Sequence, residues 1–170
     1  HIGALQGKGE TFAVLGNGVE ICYPPANRQL YADILDHGGL ISEYHPLQEP
    51  LARLFPSRNR IISALSDMVI LVEAKERSGS LITADFAMEQ GRDVYAVPGR
   101  LTDRLSDGCN RLLKDGAQVF LSPKEFVEEL RMRYGGRLSF PEREKKASVS
   151  IGESFTGEEL AVYEALDAYP

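Results

Sequence analysis

Between residues 11 and 133, short and continuously apolar runs alternate with stretches whose apolar residues recur every three or four positions. TFAVLGNG (11–18), GLISEY (39–44), DMVILVEA (67–74), DVYAVPG (93–99) and AQVFLS (117–122) are too short and too evenly apolar for exposed amphipathic helices, and they read as strands. NRQLYADILDHG, FPSRNRIISALS, GSLITADFAMEQG, DGCNRLLKDG and PKEFVEELRMR carry the helical period, and several close on a glycine suited to a left-handed cap. Regular alternation of the two patterns predicts an α/β fold: an open, mainly parallel sheet with helices on its faces.

In such a sheet a ligand sits beyond the carboxyl ends of the strands, where strand order reverses. The residues in those places are Gly16 to Gly18, Glu43, Glu73 to Ser80, and Pro98 to Arg100, which are expected to share one rim.

The pattern changes at both ends. After Arg133, YGGRLSFPEREKKASVSIGES is rich in Gly, Ser and charge without apolar periodicity, which predicts a linker over 134–153. SFTGEELAVYEALDAYP then starts a helix, with Thr156 as N-cap and Glu159 completing a capping box, so 154–170 reads as the first element of a second domain. HIGALQG reads as the tail of a helix with no strand before it, and the chain is expected to be a fragment, with its main domain over 1–133.

Composition narrows the chemistry. With 43% hydrophobic and 26% charged residues the chain can build a real core. A formal net charge of -6 argues weakly against a coat of positive charge and leaves room for one basic face. Cys22 and Cys109 lie far apart, with no CxxC or Cys/His spacing, which argues against a zinc site or a disulfide framework and for a reducing cytoplasm. No apolar segment approaches the roughly 18 residues needed to span a bilayer, and no signal pattern opens the chain.

RSGSLITA (77–84) raises the sharpest chemical expectation. Lys75 and Arg77 stand beside Ser78, Gly79 and Ser80 at a predicted helix N-terminus, where unpaired N–H groups, hydroxyls and cations together make a phosphate cradle. The blander reading makes Ser78 or Ser80 an N-cap and the charges a solvated turn. The spacing G-x-x-x-x-G-K-[ST] is absent, so nothing supports triphosphate hydrolysis. GNG (16–18) follows a strand, but a dinucleotide fingerprint needs a third glycine where Ile21 stands, and Tyr23, Pro24 and Pro25 delay the helix. A tight turn admitting a ligand, or one needing only a positive φ angle, remains.

Arg58, Asn59 and Arg60 open another predicted helix; Arg forks match phosphate oxygens, and Asn can bond a base edge or fix a loop. Glu43 and Glu73 can form an acid/base pair, but anchoring Arg58 or Arg60 is the preferred role. Ser80 lacks a G-x-S-x-G setting, and His1, His37 and His45 do not follow the central strands, so acyl transfer has little support.

Read together, HIGAL, TFAVLGNGVEICYPPANRQLY, LISEY, FPSRNRIISALSDMVILVEAKERSGSLITADFAMEQGRDVYAVPG and LSDGCNRLLKDGA resemble the DprA (Smf) family of DNA-processing proteins, from residue 1 to about 130. The resemblance implies a Rossmann-like core that binds and protects single-stranded DNA and loads RecA in natural transformation, by binding and without catalysis, cofactor or metal. By position it assigns Gly16, Gly18, Arg28, Arg58, Asn59, Arg60, Lys75, Arg77, Ser78, Gly79 and Ser80 to the DNA. It also implies a homodimer through GCNRLLKDGAQVF, with Leu113 and Val119 as interface candidates beside an ordinary core role. Tyr23 is a candidate for stacking on a base.

Three departures from the family are visible. The strand and glycine-arginine segment that precede residue 1 in relatives are missing; Pro25 stands where some relatives carry lysine; and the helix over 156–168 resembles the first of a winged-helix domain whose remainder is absent. The rival reading is a nucleotide-processing enzyme resembling lysine-decarboxylase-like proteins. Their PGGxGTxxE signature is not met, since GSLITADF lacks the second glycine and has Asp85 later. A pure dimerisation or RecA-docking scaffold is the third reading.

Overall fold

The computed structural model describes residues 1–135; the expected linker and the helix capped by Thr156 lie outside the described residues. By its internal packing the chain divides after Glu128, and both sheets, their cores and the rim lie within His1–Glu128.

The predicted alternation is realised. In chain order the elements are α1 (Ile2–Gln6), β1 (Thr11–Val14), α2 (Arg28–Asp36), β2 (Gly38–Ile41), α3 (Leu54–Ala64), β3 (Met68–Leu71), α4 (Gly79–Glu89), β4 (Asp93–Ala96), α5 (Asp107–Lys114), β5 (Gln118–Val119) and α6 (Pro123–Tyr134). Gly91 and Gly116, just past α4 and α5, have φ of 69° and 108°, the left-handed ends that their positions predict.

Every strand pair is parallel, as the apolar runs require, but the strands form two sheets instead of one. The first has order β1-β2 and the second β3-β4-β5. The break falls between β1 and β3. Thr11 and Leu15 donate their N–H groups to His37 and Ile41 on the β2 side. Backbone groups alternate in direction along a strand, so the Val14 carbonyl points to the opposite edge. There the Arg58 guanidinium donates to it. A cleft of about 540 Å3 lined by Phe12, Val14, Ile41, Ile62 and Leu65 occupies the same side.

Each sheet has its own core. Ala13, Leu15 and Ile34 pack between the first sheet and α2. Leu71, Ala84, Ala87, Val94, Ala96, Cys109 and Leu112 form the second. Ala84 and Ala87 are fully buried and lack side-chain bulk, which lets α4 seat close to β3 and β4. Helix α3 packs on β1 and on α4, and so connects the two sheets. Gln90 donates to the Arg60 carbonyl (3.0 Å) and Arg92 to the Ala64 carbonyl (2.7 Å), fixing the later turns of α3 to the segment just past α4.

Candidate functional site

The loop after β1 is tied down by hydrogen bonds. Asn17, 2% exposed, donates to the carbonyls of Gly18 (2.9 Å) and Ile21 (2.6 Å), while its own carbonyl accepts from Ser42 Oγ at 2.7 Å. Tyr31 closes the loop by donating to the Val19 carbonyl at 3.0 Å. Gly16 and Gly18 are buried, and neither has a positive φ. Their lack of a side chain serves close approach to other parts of the protein: a Cβ on Gly16 would meet the Phe55 ring at 2.9 Å, and one on Gly18 would overlap the Pro46 carbonyl. The missing side chains thus serve packing that shapes the wall of the rim.

Phe55, in the first turn of α3, gathers an aromatic and cationic group. Its ring lies 5.9 Å from that of Tyr23, centroid to centroid, and Arg58 Cζ stands 5.6 Å from its centroid. Tyr23 is 51% exposed, so the pair presents a ring to solvent at the carboxyl end of β1. Arg58 is half-buried and committed: it donates to the Val14 carbonyl and, through Nε, to Asn59 Oδ1 at 3.1 Å. Burial holds its guanidinium below the usual arginine range, with Tyr44 opposing weakly. Arg60 is held by both carboxylate oxygens of Glu43, the anchoring role expected for that glutamate. Glu73 is exposed and anchors neither arginine.

The N-terminus of α4 is the third part. Ser78 is its N-cap in extended conformation, accepting weakly from the Ser80 amide (3.4 Å) and paired with Ser80 Oγ at 2.7 Å. No atom lies within 4 Å of where a Gly79 Cβ would stand, and the Gly79 amide has no acceptor among the described residues. Lys75, Arg77 and Arg104 are exposed around a trough of about 730 Å3 that Glu76 and Asp107 also line. None of these three cations has an ion-pair partner among the described residues.

Arg104 reaches the trough because its loop is tied to the loop after β3. Ala74 donates to the Leu105 carbonyl (2.9 Å), and Gly108 donates to Ala74 (2.8 Å) so closely that a Cβ there would meet the Lys75 carbonyl at 2.7 Å. Asn110 holds the preceding Pro98–Arg100 turn, exchanging two hydrogen bonds of 3.1 Å with the Gly99 backbone.

The structure therefore joins the expected residues unequally. Arg58, Asn59 and Gly79 form one hydrogen-bonded chain, since Asn59 Nδ2 donates to the Gly79 carbonyl at 3.4 Å. Lys75 and Arg77 share the trough, while Arg28 is exposed at the first residue of α2 and bonded to none of the others. Leu113 is partly buried against the second core, and Val119 is 51% exposed on β5. Sequence reading missed Phe55 and Arg104; the first was signalled by an aromatic three residues before Arg58, the second by nothing, because a loop arginine carries no periodicity. Unpaired cations, open amide and exposed ring suit a polyanion with flat bases. Among the described residues, no three His, Cys, Asp or Glu side chains are grouped to hold a metal, and no helix is long and apolar enough to cross a membrane.

Comparison with known proteins fits this geometry. Residues 1–131 match the family model of DNA recombination-mediator protein A. The DNA processing protein DprA of Streptococcus pneumoniae is 49% identical over 129 residues, covering 76% of this chain and 46% of the relative. Its X-ray structure aligns with a TM-score of 0.69 at 47% identity, over 76% of this chain and 46% of that one. DNA processing protein A of Helicobacter pylori, solved for its single-stranded DNA binding mode, aligns with a TM-score of 0.67 at 32% identity, over 72% of this chain and 57% of that one. The chain thus spans about half the length of these relatives.

Proposed function

The chain belongs to the DNA recombination-mediator protein A family, and from that premise we propose that it binds single-stranded DNA along the rim formed by the β1 loop, α3 and the α4 N-terminus. The observation that carries this reading is the trio Lys75, Arg77 and Arg104, unpaired among the described residues and lining one trough with Glu76 and Asp107; Lys75 and Arg77 stand on the segment that leads into the N-cap Ser78 of α4. Three cations on two loops suit successive phosphates better than one compact anion. Ser78, Gly79 and Ser80 supply hydroxyls and an amide for one of those phosphates, and Tyr23, backed by Phe55, offers a face for a base. Gly16 and Gly18 shape the wall, Arg58 and Glu43-bound Arg60 stiffen it, and Arg28, exposed at the first residue of α2, adds a further cation.

The role is binding without catalysis: protecting single strands and loading RecA onto them during natural transformation, in the cytoplasm and as a homodimer with Leu113 and Val119 at its interface. The Helicobacter pylori relative, described by its single-stranded DNA binding mode, supports the ligand class.

Fluorescence anisotropy with labelled oligothymidine across a salt series tests the reading. Binding should weaken with salt at a logarithmic slope of about 0.7 per phosphate contacted. Salt-independent binding, or nucleoside monophosphates bound more tightly than the oligonucleotide or hydrolysed, would overturn it in favour of a small-molecule site.

A further inference from the structure

We propose that the double turn from Arg100 to Ser106, between β4 and α5, is a base-binding subsite in which Leu101 packs against the face of a base while neighbouring cations hold the phosphates. This rests on the assignment of the rim to single-stranded DNA.

Two consecutive turns build the segment. The Asp103 amide donates to the Arg100 carbonyl (3.0 Å) and closes the first, with Leu101 and Thr102 at its corners. The Ser106 amide donates to the Asp103 carbonyl (2.9 Å) and closes the second, with Arg104 and Leu105 at its corners. Asp103 belongs to both, and its carboxylate accepts the Leu105 amide at 3.0 Å. At the entrance Asn110 exchanges two bonds with Gly99, and a Gly99 Cβ would overlap the Ser106 side chain. At the exit Ala74 donates to the Leu105 carbonyl. With both turns closed and both ends tied, a ligand has less ordering to impose on this segment.

The corners alternate in character. Leu101 is 90% exposed, Arg104 is exposed and lines the trough with Lys75 and Arg77, and Leu105, 39% exposed, lines it as well. A single exposed leucine is ordinary on a protein surface. This one stands at the corner of a tied turn, immediately before the turn that supplies Arg104, beside cations without carboxylate partners among the described residues. A ligand drawn by those cations is polyanionic, and a single nucleic-acid strand is a polyanion that also carries flat faces free to leave water. With phosphates on Lys75, Arg77 and Arg104, a strand that continues along the double turn sets a base against Leu101. The contact is tolerant of sequence, since an alkyl side chain has no donor or acceptor with which to read a base edge.

The test uses the full chain and anisotropy at low salt, where phosphate contacts are strongest. Leu101→Ala should bind an oligothymidine of about 16 nucleotides at least about fivefold more weakly, because apolar area is no longer covered, with the logarithmic salt slope and the melting temperature unchanged. Leu101→Tyr, which offers a ring for stacking, should restore the affinity or exceed it. The decisive comparison is an oligonucleotide of the same length whose sugar-phosphate backbone carries no bases. Leu101→Ala should bind it within about twofold of the unaltered chain, whereas Arg104→Ala should lose affinity for both ligands and lower the slope by about 0.7. Equal loss on both ligands from Leu101→Ala would mark a backbone or structural effect, and no loss on oligothymidine would mark an idle side chain; each overturns the inference. Sedimentation velocity should give the same species for Leu101→Ala and the unaltered chain. A shift to a smaller species would assign the leucine to a contact between copies and overturn the subsite. If the unaltered chain binds neither ligand, the rim reading fails and takes the subsite with it; salt-dependent binding that ignores Leu101 overturns the subsite alone.

Discussion

Phe55 fills the space in front of Gly16, whose missing Cβ would stand 2.9 Å from the ring. The contact sets where the ring lies, and through the ring the position of Tyr23 at 5.9 Å. Replacing Gly16 with Ala should push Phe55 outward at an overpacking cost of about 1–3 kcal/mol. Urea unfolding measures that cost, and oligothymidine affinity should fall with it as the stacking face shifts.

The trough cations act differently, since none is paired with a carboxylate among the described residues. Lys75→Ala, Arg77→Ala and Arg104→Ala should leave stability within about 0.5 kcal/mol. Each should weaken oligothymidine binding and lower the logarithmic salt slope by about 0.7. Anisotropy at several salt concentrations reads both; a slope unmoved by Arg104→Ala removes that residue from the DNA path.

Two other glycines give opposite outcomes. A Cβ on Gly18 would overlap the Pro46 and His45 carbonyls, backbone atoms that cannot swing aside, so Gly18→Ala should cost at least about 1–3 kcal/mol. Gly79 faces open space, so Gly79→Ala should be neutral or stabilising, by up to about 1 kcal/mol from helix propensity. A phosphate approaching the Gly79 amide would meet the new methyl group, and affinity should drop while the melting temperature holds or rises.

The two thiols should part company. Cys109 is fully buried and Cys22 is partly exposed, so a thiol reagent at neutral pH should label Cys22 alone until the chain unfolds. Burial raises the Cys109 thiol above its ordinary 9.0, Glu73 adding to this and a backbone bond at Ala74 opposing it; burial also raises the Tyr31 hydroxyl above 10.0, with Cys22 acting the same way. The folded state favours both neutral forms. Their stabilising effect is complete below the unfolded values and fades as pH rises through the folded ones. Stability should therefore decline above about pH 9, and the decline should be shallower in Tyr31→Phe.

What was legible in the sequence was whatever one element carries within itself. The continuous apolar runs named all five strands, and a serine followed by Gly-Ser placed the start of α4. The anchoring of Arg60 by Glu43 followed from two charges at expected strand and helix ends. Relations across elements stayed hidden. Nothing in a strand's own residues says that Arg58 will take the Val14 carbonyl. Gly16 and Gly18 were noticed correctly as glycines, but whether the missing side chain makes room for a ligand or for Phe55 and Pro46 depends on segments about 28 to 39 residues away.

The guanidinium on the Val14 carbonyl has a second consequence. An unpaired strand edge is a template on which another chain can add a strand, and proteins commonly defend such edges with charge. Arg58 puts a cation across one of the β1 carbonyls that an incoming strand would need. The side chain that steadies the rim thereby also places a charge on the β1 edge.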